Sequence, residues 1–245
     1  MSGYKTLATA SRVLRQLRHD PRTLVLIMLV PSLLLVMLKY VYQGEPAIFN
    51  QLAPMILGIF PLIIMFIVTS IATLRERSAG TLDRLMTMPM AKLDFILGYA
   101  LAFAVLALLQ SAIASAVVLG LLGVTVAGGP MALIIGAVAS GLLGMSLGLF
   151  LSAFATSEFQ AVQFMPAFIF PQLLTCGLFI GRDHMARGLQ WFANVMPLTY
   201  AVDAMKQVTS HTAWTGQLSR DLLVVAGCCL VALLLGSLTI RRQES

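Results

Sequence analysis

The chain has 245 residues, of which 59% are hydrophobic and only 11% charged, and its formal net charge is +6. A soluble domain carries roughly 25% charged residues, so this composition excludes water as the main solvent of the fold and points to lipid. The basic excess is accounted for by membrane topology and attraction to anionic lipid, with no nucleic acid required.

At the start, Leu7, Ala10, Leu14 and Leu17 recur at helical spacing while Arg12, Arg15 and Arg18 take other faces. Residues 5–19 therefore read as a helix lying in the membrane interface, either an anchor or an elbow that transmits motion, or both. Asp, Glu, Lys and Arg are then absent from 23–38, 46–74, 95–157, 159–181 and 222–240. Lys39, Tyr40, Val41, Tyr42 and Gln43 follow the first run and offer no small-residue cleavage site, so that run is expected to be retained. The third run would make a helix of roughly 95 Å at ~1.5 Å per residue, against a hydrocarbon core of ~30 Å, so it must fold back once. Val126 to Pro130 is the expected turn, its two glycines supplying positive φ and its proline ending a helix. Six spans follow, near 23–42, 52–74, 97–121, 131–155, 160–181 and 220–240.

Orientation follows the basic residues. Eleven Lys and Arg fall on the side that holds both termini and five on the other, which predicts cytoplasmic termini. Cys176, Cys228 and Cys229 sit inside spans, where a thiol acts as a small apolar residue, so no disulfide framework or metal site is expected. His19, His184 and His211 are isolated on loops and flanks and suggest no catalytic or metal cluster.

Between spans two and three, Arg75, Glu76 and Arg77 precede Gly80 and Thr81, then Leu82, Leu85 and Met86, and Pro89. Gly80 ends or bends a helix, Thr81 caps the next and Pro89 stops it, so residues 75–90 read as a short amphipathic helix across the cytoplasmic mouth. Small residues recur every fourth position in the fourth span, at Gly136, Ser140, Gly144 and Gly148, giving a face for close backbone approach within the bundle. Between the last two spans, Asn194 precedes Pro197, a residue suited to a helix's first turn, and Asp203 and Lys206 follow at helical spacing. The roughly forty residues between these spans would be unusually long for a loop without structure of its own.

These motifs resemble the type 2 ABC-transporter permeases, especially the daunorubicin-resistance type of drug exporter. The cytoplasmic loop matches that family's Glu-Arg-x-x-Gly-Thr-x-x-x-Leu-x-x-x-Pro pattern at Glu76, Arg77, Gly80, Thr81, Leu85 and Pro89. Asn194, Pro197, Tyr200, Asp203 and Lys206 resemble its Asn-Pro-x-x-Tyr-x-x-Asp-x-x-Arg signature, with two residues inserted after Asn194 and Lys206 in place of Arg. Phe168, Phe170, Pro171 and Phe179 fall in a fifth-span stretch similar to one in the family and are candidates for the translocation path.

The resemblance implies an all-α integral membrane protein of six transmembrane helices, with an interfacial helix, a cytoplasmic coupling helix, and outer re-entrant half-helices over 182–215. It implies that Arg75 to Pro89, with Leu82, contact a separate nucleotide-binding ATPase subunit that holds ATP and Mg²⁺. A second permease, identical or different, is implied as partner, as is location in a bacterial plasma membrane. No G-x-x-x-x-G-K-[ST] loop occurs, so the chain is not expected to be the ATPase. The expected cargo is a hydrophobic drug or related small molecule; the alternatives are a lipid or glycan intermediate, or ion-coupled secondary transport. The span interiors hold no ionisable residue beyond Lys39, which argues against ion coupling.

Overall fold

The computed structural model describes residues 3–79 and 92–239, and every regular element among them is helical. In chain order these are α1 (Gly3–Arg18), α2 (Pro21–Val41), α3 (Pro46–Ser78) and α4 (Lys92–Ala116), the last extended by a π-helical turn, Val117–Leu121. After them come α5 (Gly129–Ser152), α6 (Glu158–Thr175), a 3-10 turn at Arg182–His184, α7 (Arg187–Val195), α8 (Pro197–Ser210) and α9 (Gly216–Thr239).

Among the described residues, α2, α3, α4 with its π turn, α5 and α9 are long and apolar enough to cross a membrane. The expected span at 160–181 is α6, whose 18 residues include Gln160, Gln163 and Gln172. At ~1.5 Å per residue it reaches ~27 Å, just short of the ~30 Å hydrocarbon core. It stops at Thr175 rather than near 181, and Gly177 just beyond takes a positive φ of 82°, which turns the chain out of the helix. In contrast α3 is longer than 52–74: its 33 residues make a rod of ~50 Å. Such a rod exceeds the hydrocarbon, so charged residues at its end need not terminate it.

Local chemistry starts these helices. Asp20 caps α2, accepting the Thr23 amide at 3.2 Å and its hydroxyl at 2.6 Å, and these bonds hold the Asp20 carboxyl below its ordinary range. Pro21, Pro46 and Pro130 occupy the first turns of α2, α3 and α5, where a missing N–H costs nothing. The turn before α5 departs from expectation: Gly129 does adopt positive φ, but Gly128 does not, and Gly123 is the second left-handed residue of the connection between α4 and α5.

The glycine stripe of α5 decides how the bundle closes. A Cβ at Gly144 would overlap the Leu62 backbone of α3, and one at Gly148 would overlap Thr69 and the Phe66 carbonyl. These two helices share the most extensive interface among the described elements. About two turns of α5 away, the Met205 side chain of α8 lies in a slot between Gly58 and Gly136. Ser140 spends its hydroxyl on the Gly136 carbonyl at 3.0 Å, so it stays compatible with a dry interface. The face that α1 buries also departs from expectation. Thr6, Thr9, Ala10 and Val13 point inward while Leu7 is exposed, because α1 lies across α4 at Gly98, where an added Cβ would come within 2.6 Å of Thr9.

Candidate functional site

At the end of α3, consecutive side chains project about 100° apart around the helix, so Arg75, Glu76 and Arg77 reach three different neighbours. Arg75 forms a forked pair with Glu158 in the first turn of α6, at 2.8 and 3.0 Å. Glu76 is buried and faces Arg12 of α1, whose guanidinium lies 3.4 Å from both carboxylate oxygens and donates to the Tyr99 hydroxyl of α4 at 2.7 Å. Arg77 donates to the Ser152 and Ala155 carbonyls at the C-terminal end of α5, at 2.9 and 2.6 Å. A cation there satisfies carbonyls left without helical partners and complements the helix dipole.

Three successive residues thus fasten one helix end to α6, to α1 and α4, and to α5. A cleft of about 250 Å³ opens beside this node between α1, α3 and α4, with Tyr99 and Phe103 on its wall. Arg75 to Arg77 are therefore continuous with α3 rather than part of a separate helix, and Glu76 is turned inward. Gly80, Thr81, Leu82, Leu85 and Pro89, expected in the coupling helix, lie outside the described residues. Arg12 and Tyr99, on elements distant in sequence, were not singled out as partners of Glu76, and no periodic signal joins them.

The second constellation lies at the opposite end of α3. There α7 and α8 form a helical pair broken at Met196, whose backbone is extended, and Pro197 begins α8. Asn194 does not cap α8: it sits within α7, and its carbonyl accepts the Tyr200 hydroxyl at 2.7 Å. The free amide at Leu198 is met from another element, by the buried Gln172 side chain of α6, at 3.3 Å. Asp203 is buried and paired with Arg182 of the 3-10 turn, with Lys206 a further 3.8 Å away. Lys206 donates in turn to the Gly177 carbonyl at 2.7 Å.

This network ties α6, the turn after it and α8 into one unit, since each charge has a partner on a different segment. Arg182 and Gln172 were not singled out in the sequence, because neither stands at helical spacing from the residues it serves. The four aromatic and proline candidates of the fifth span do not share a face. Phe168 packs inward with the core, whereas Phe170, Pro171 and Phe179 are exposed.

The sequence family described as ABC-2 type transporter matches residues 4–209. Over 141 residues the chain is 28% identical to a Dictyostelium discoideum protein named ABC transporter G family member 20, an alignment covering 58% of this chain and 19% of that protein. Over 155 residues it is 27% identical to the Escherichia coli K12 protein named probable multidrug ABC transporter permease YbhR, covering 63% of this chain and 42% of that one. The aligned part thus spans less than half of either relative.

Proposed function

The chain belongs to the ABC-2 type transporter family, a family of membrane permeases, and from that premise we propose that it is the permease subunit of an ATP-driven exporter of hydrophobic small molecules. In this reading a separate ATPase subunit engages residues 75–90, and ATP with Mg²⁺ is bound and hydrolysed there. Two permeases face one another in a bacterial plasma membrane with their termini in the cytoplasm. Closure of the ATPases displaces the segment after Ser78 and with it the end of α3.

The observation that carries this reading is the triple fastening at Arg75, Glu76 and Arg77. A push on that helix end is delivered at once to α1, α4, α5 and α6. Because α3 is continuous from Pro46 to Ser78 and holds Met205 of α8 against Gly58, the same rod reaches the α7–α8 pair at the far end. There the Asp203 cluster and Tyr200 act as the outer closure, opened when α3 shifts. The multidrug designation of one relative supports an apolar drug-like cargo over a lipid or glycan intermediate.

The test is charge exchange at the node. In the assembled complex, Glu76→Lys is expected to abolish substrate-stimulated ATP hydrolysis while leaving basal hydrolysis in place, and Arg12→Glu combined with Glu76→Arg is expected to restore part of the stimulation. Full stimulation in Glu76→Lys would remove this node from the coupling path.

A further inference from the structure

Two cavities follow one another along the seam between α2 and α4. The first, about 430 Å³, is walled by Met28, Leu29 and Ser32 of α2, by Ile113 of α4 and by Val117 at the start of the π-helical turn that extends it. Its single hydroxyl, on Ser32, is turned back onto the Met28 carbonyl at 3.3 Å, so the groove presents hydrocarbon alone. The second, about 470 Å³, begins one turn further along α2, with Val36 and the buried Phe49 beneath and Lys39, Tyr42, Gln43 and Asn50 around it. Between the two runs the π-helical turn Val117–Leu121. Just past that turn, the Leu122 carbonyl accepts a hydrogen bond from Lys39 Nζ at 2.9 Å.

An ammonium has three N–H donors, so this bond fixes the Lys39 side chain and leaves two donors for another acceptor. Among the described residues no carboxylate lines this pocket. Lys39 and the tyrosines stand at the end of a membrane span, the depth of lipid headgroups, where a lysine reaches out of the hydrocarbon and phenols sit between apolar and wet surroundings. The groove behind them is at acyl-chain depth. Among the five described helices long and apolar enough to cross a membrane, α2 is the least covered by the rest of the chain, and its Leu29, Leu33 and Met37 are exposed.

We propose that this seam is a binding site for one anionic membrane phospholipid, its phosphate beside Lys39 and an acyl chain in the α2–α4 groove. A charge-assisted bond from the ammonium to a phosphate oxygen holds the headgroup. A zwitterionic lipid brings its own cation beside Lys39 and an anionic one does not, so the charge favours the anionic lipid, and burial of the chain supplies residence. A free phosphate would use Lys39 and leave the groove empty. An anionic amphiphile has both parts, a phosphate for the ammonium and a chain for the groove; a second copy of the chain is the rival occupant, which crosslinking distinguishes. This site is independent of the coupling reading above, since it requires a membrane and no ATPase.

The experiment is native mass spectrometry of the complex containing this chain, equilibrated with vesicles of equal parts phosphatidylglycerol and phosphatidylcholine and then washed with detergent. The expected result is one phosphatidylglycerol retained per copy of the chain, kept in Lys39→Arg. Lys39→Gln preserves a donor for Leu122 without the charge and is expected to lower retention about tenfold. Val117→Trp fills the groove with the charge intact and is expected to do the same; should it fail to assemble, Lys39→Gln decides. Equal retention in the wild type and Lys39→Gln overturns the proposal. So does displacement of the lipid by millimolar inorganic phosphate with no effect of Val117→Trp, which would make this a small-anion site. Crosslinking of Leu29→Cys between two copies, with no lipid held, would assign the seam to a subunit contact and overturn it equally.

Discussion

A backbone amide buried in the bundle has no water to turn to, and the start of α8 shows how one residue answers for that. Gln172, itself buried, accepts from the Leu198 amide and donates to the Phe168 carbonyl one turn earlier in its own helix. Gln172→Leu fills the same volume but strands that amide, which should cost about 1–3 kcal/mol and lower the thermal unfolding temperature in detergent. An unchanged midpoint would mean that Leu198 finds another partner. Arg182 and Asp203 form the other pair at this scale. Single alanine variants at either position should each destabilise the hairpin, and the double variant should fall short of their sum by about 0.5–3 kcal/mol, as for residues in direct contact. Strict additivity in a denaturation series would contradict the pairing. Pro197 was legible in advance because its effect is local to one turn. The Arg182–Asp203 pair was not, since twenty-one residues separate the partners and only the fold brings them together.

At the scale of the element, glycine spacing carried much of the information and charge misled. Gly136, Ser140, Gly144 and Gly148 at every fourth position mark a face, and Leu62, Phe66 and Met205 meet it at that face. Gly144→Val should therefore separate α3 from α5 and destabilise the bundle by about 2 kcal/mol or more, as overpacking does. Gly227→Ala is the internal control. Nothing lies within 4 Å of its added Cβ, so it should be neutral or slightly stabilising, by at most about 1 kcal/mol. Parallel thermal melts of the two variants check this, and equal losses would contradict the packing. The charge-free run ends at Leu74, yet α3 continues through Arg75, Glu76 and Arg77 to Ser78, and at its other end it begins already at Pro46. Outside hydrocarbon, charges on a helix are ordinary, and here each finds a partner. Past α6 the apolar run continues through Phe179 and Ile180, although Gly177 has already turned the chain.

For the whole molecule, the composition and the charge-free runs were enough to place the chain in a membrane, and the motif spacing was enough to suggest its family. The division of labour along α3 was not visible. It requires knowing that Glu76 faces inward to Arg12 and Tyr99, and that the same helix supports Met205 at its other end. The account makes α3 the rod between an ATPase-driven end and an outer closure, and its central claim is that such an ATPase exists as a separate partner. The most direct measurement is gentle solubilisation of native membranes holding the tagged chain, identification of the copurifying proteins, and the intact mass of the complex. The account predicts a Walker-motif ATPase in equal number with permease subunits, and two permeases per complex. A chain that purifies with no nucleotide-binding partner, and whose reconstituted preparation hydrolyses no ATP, would contradict it.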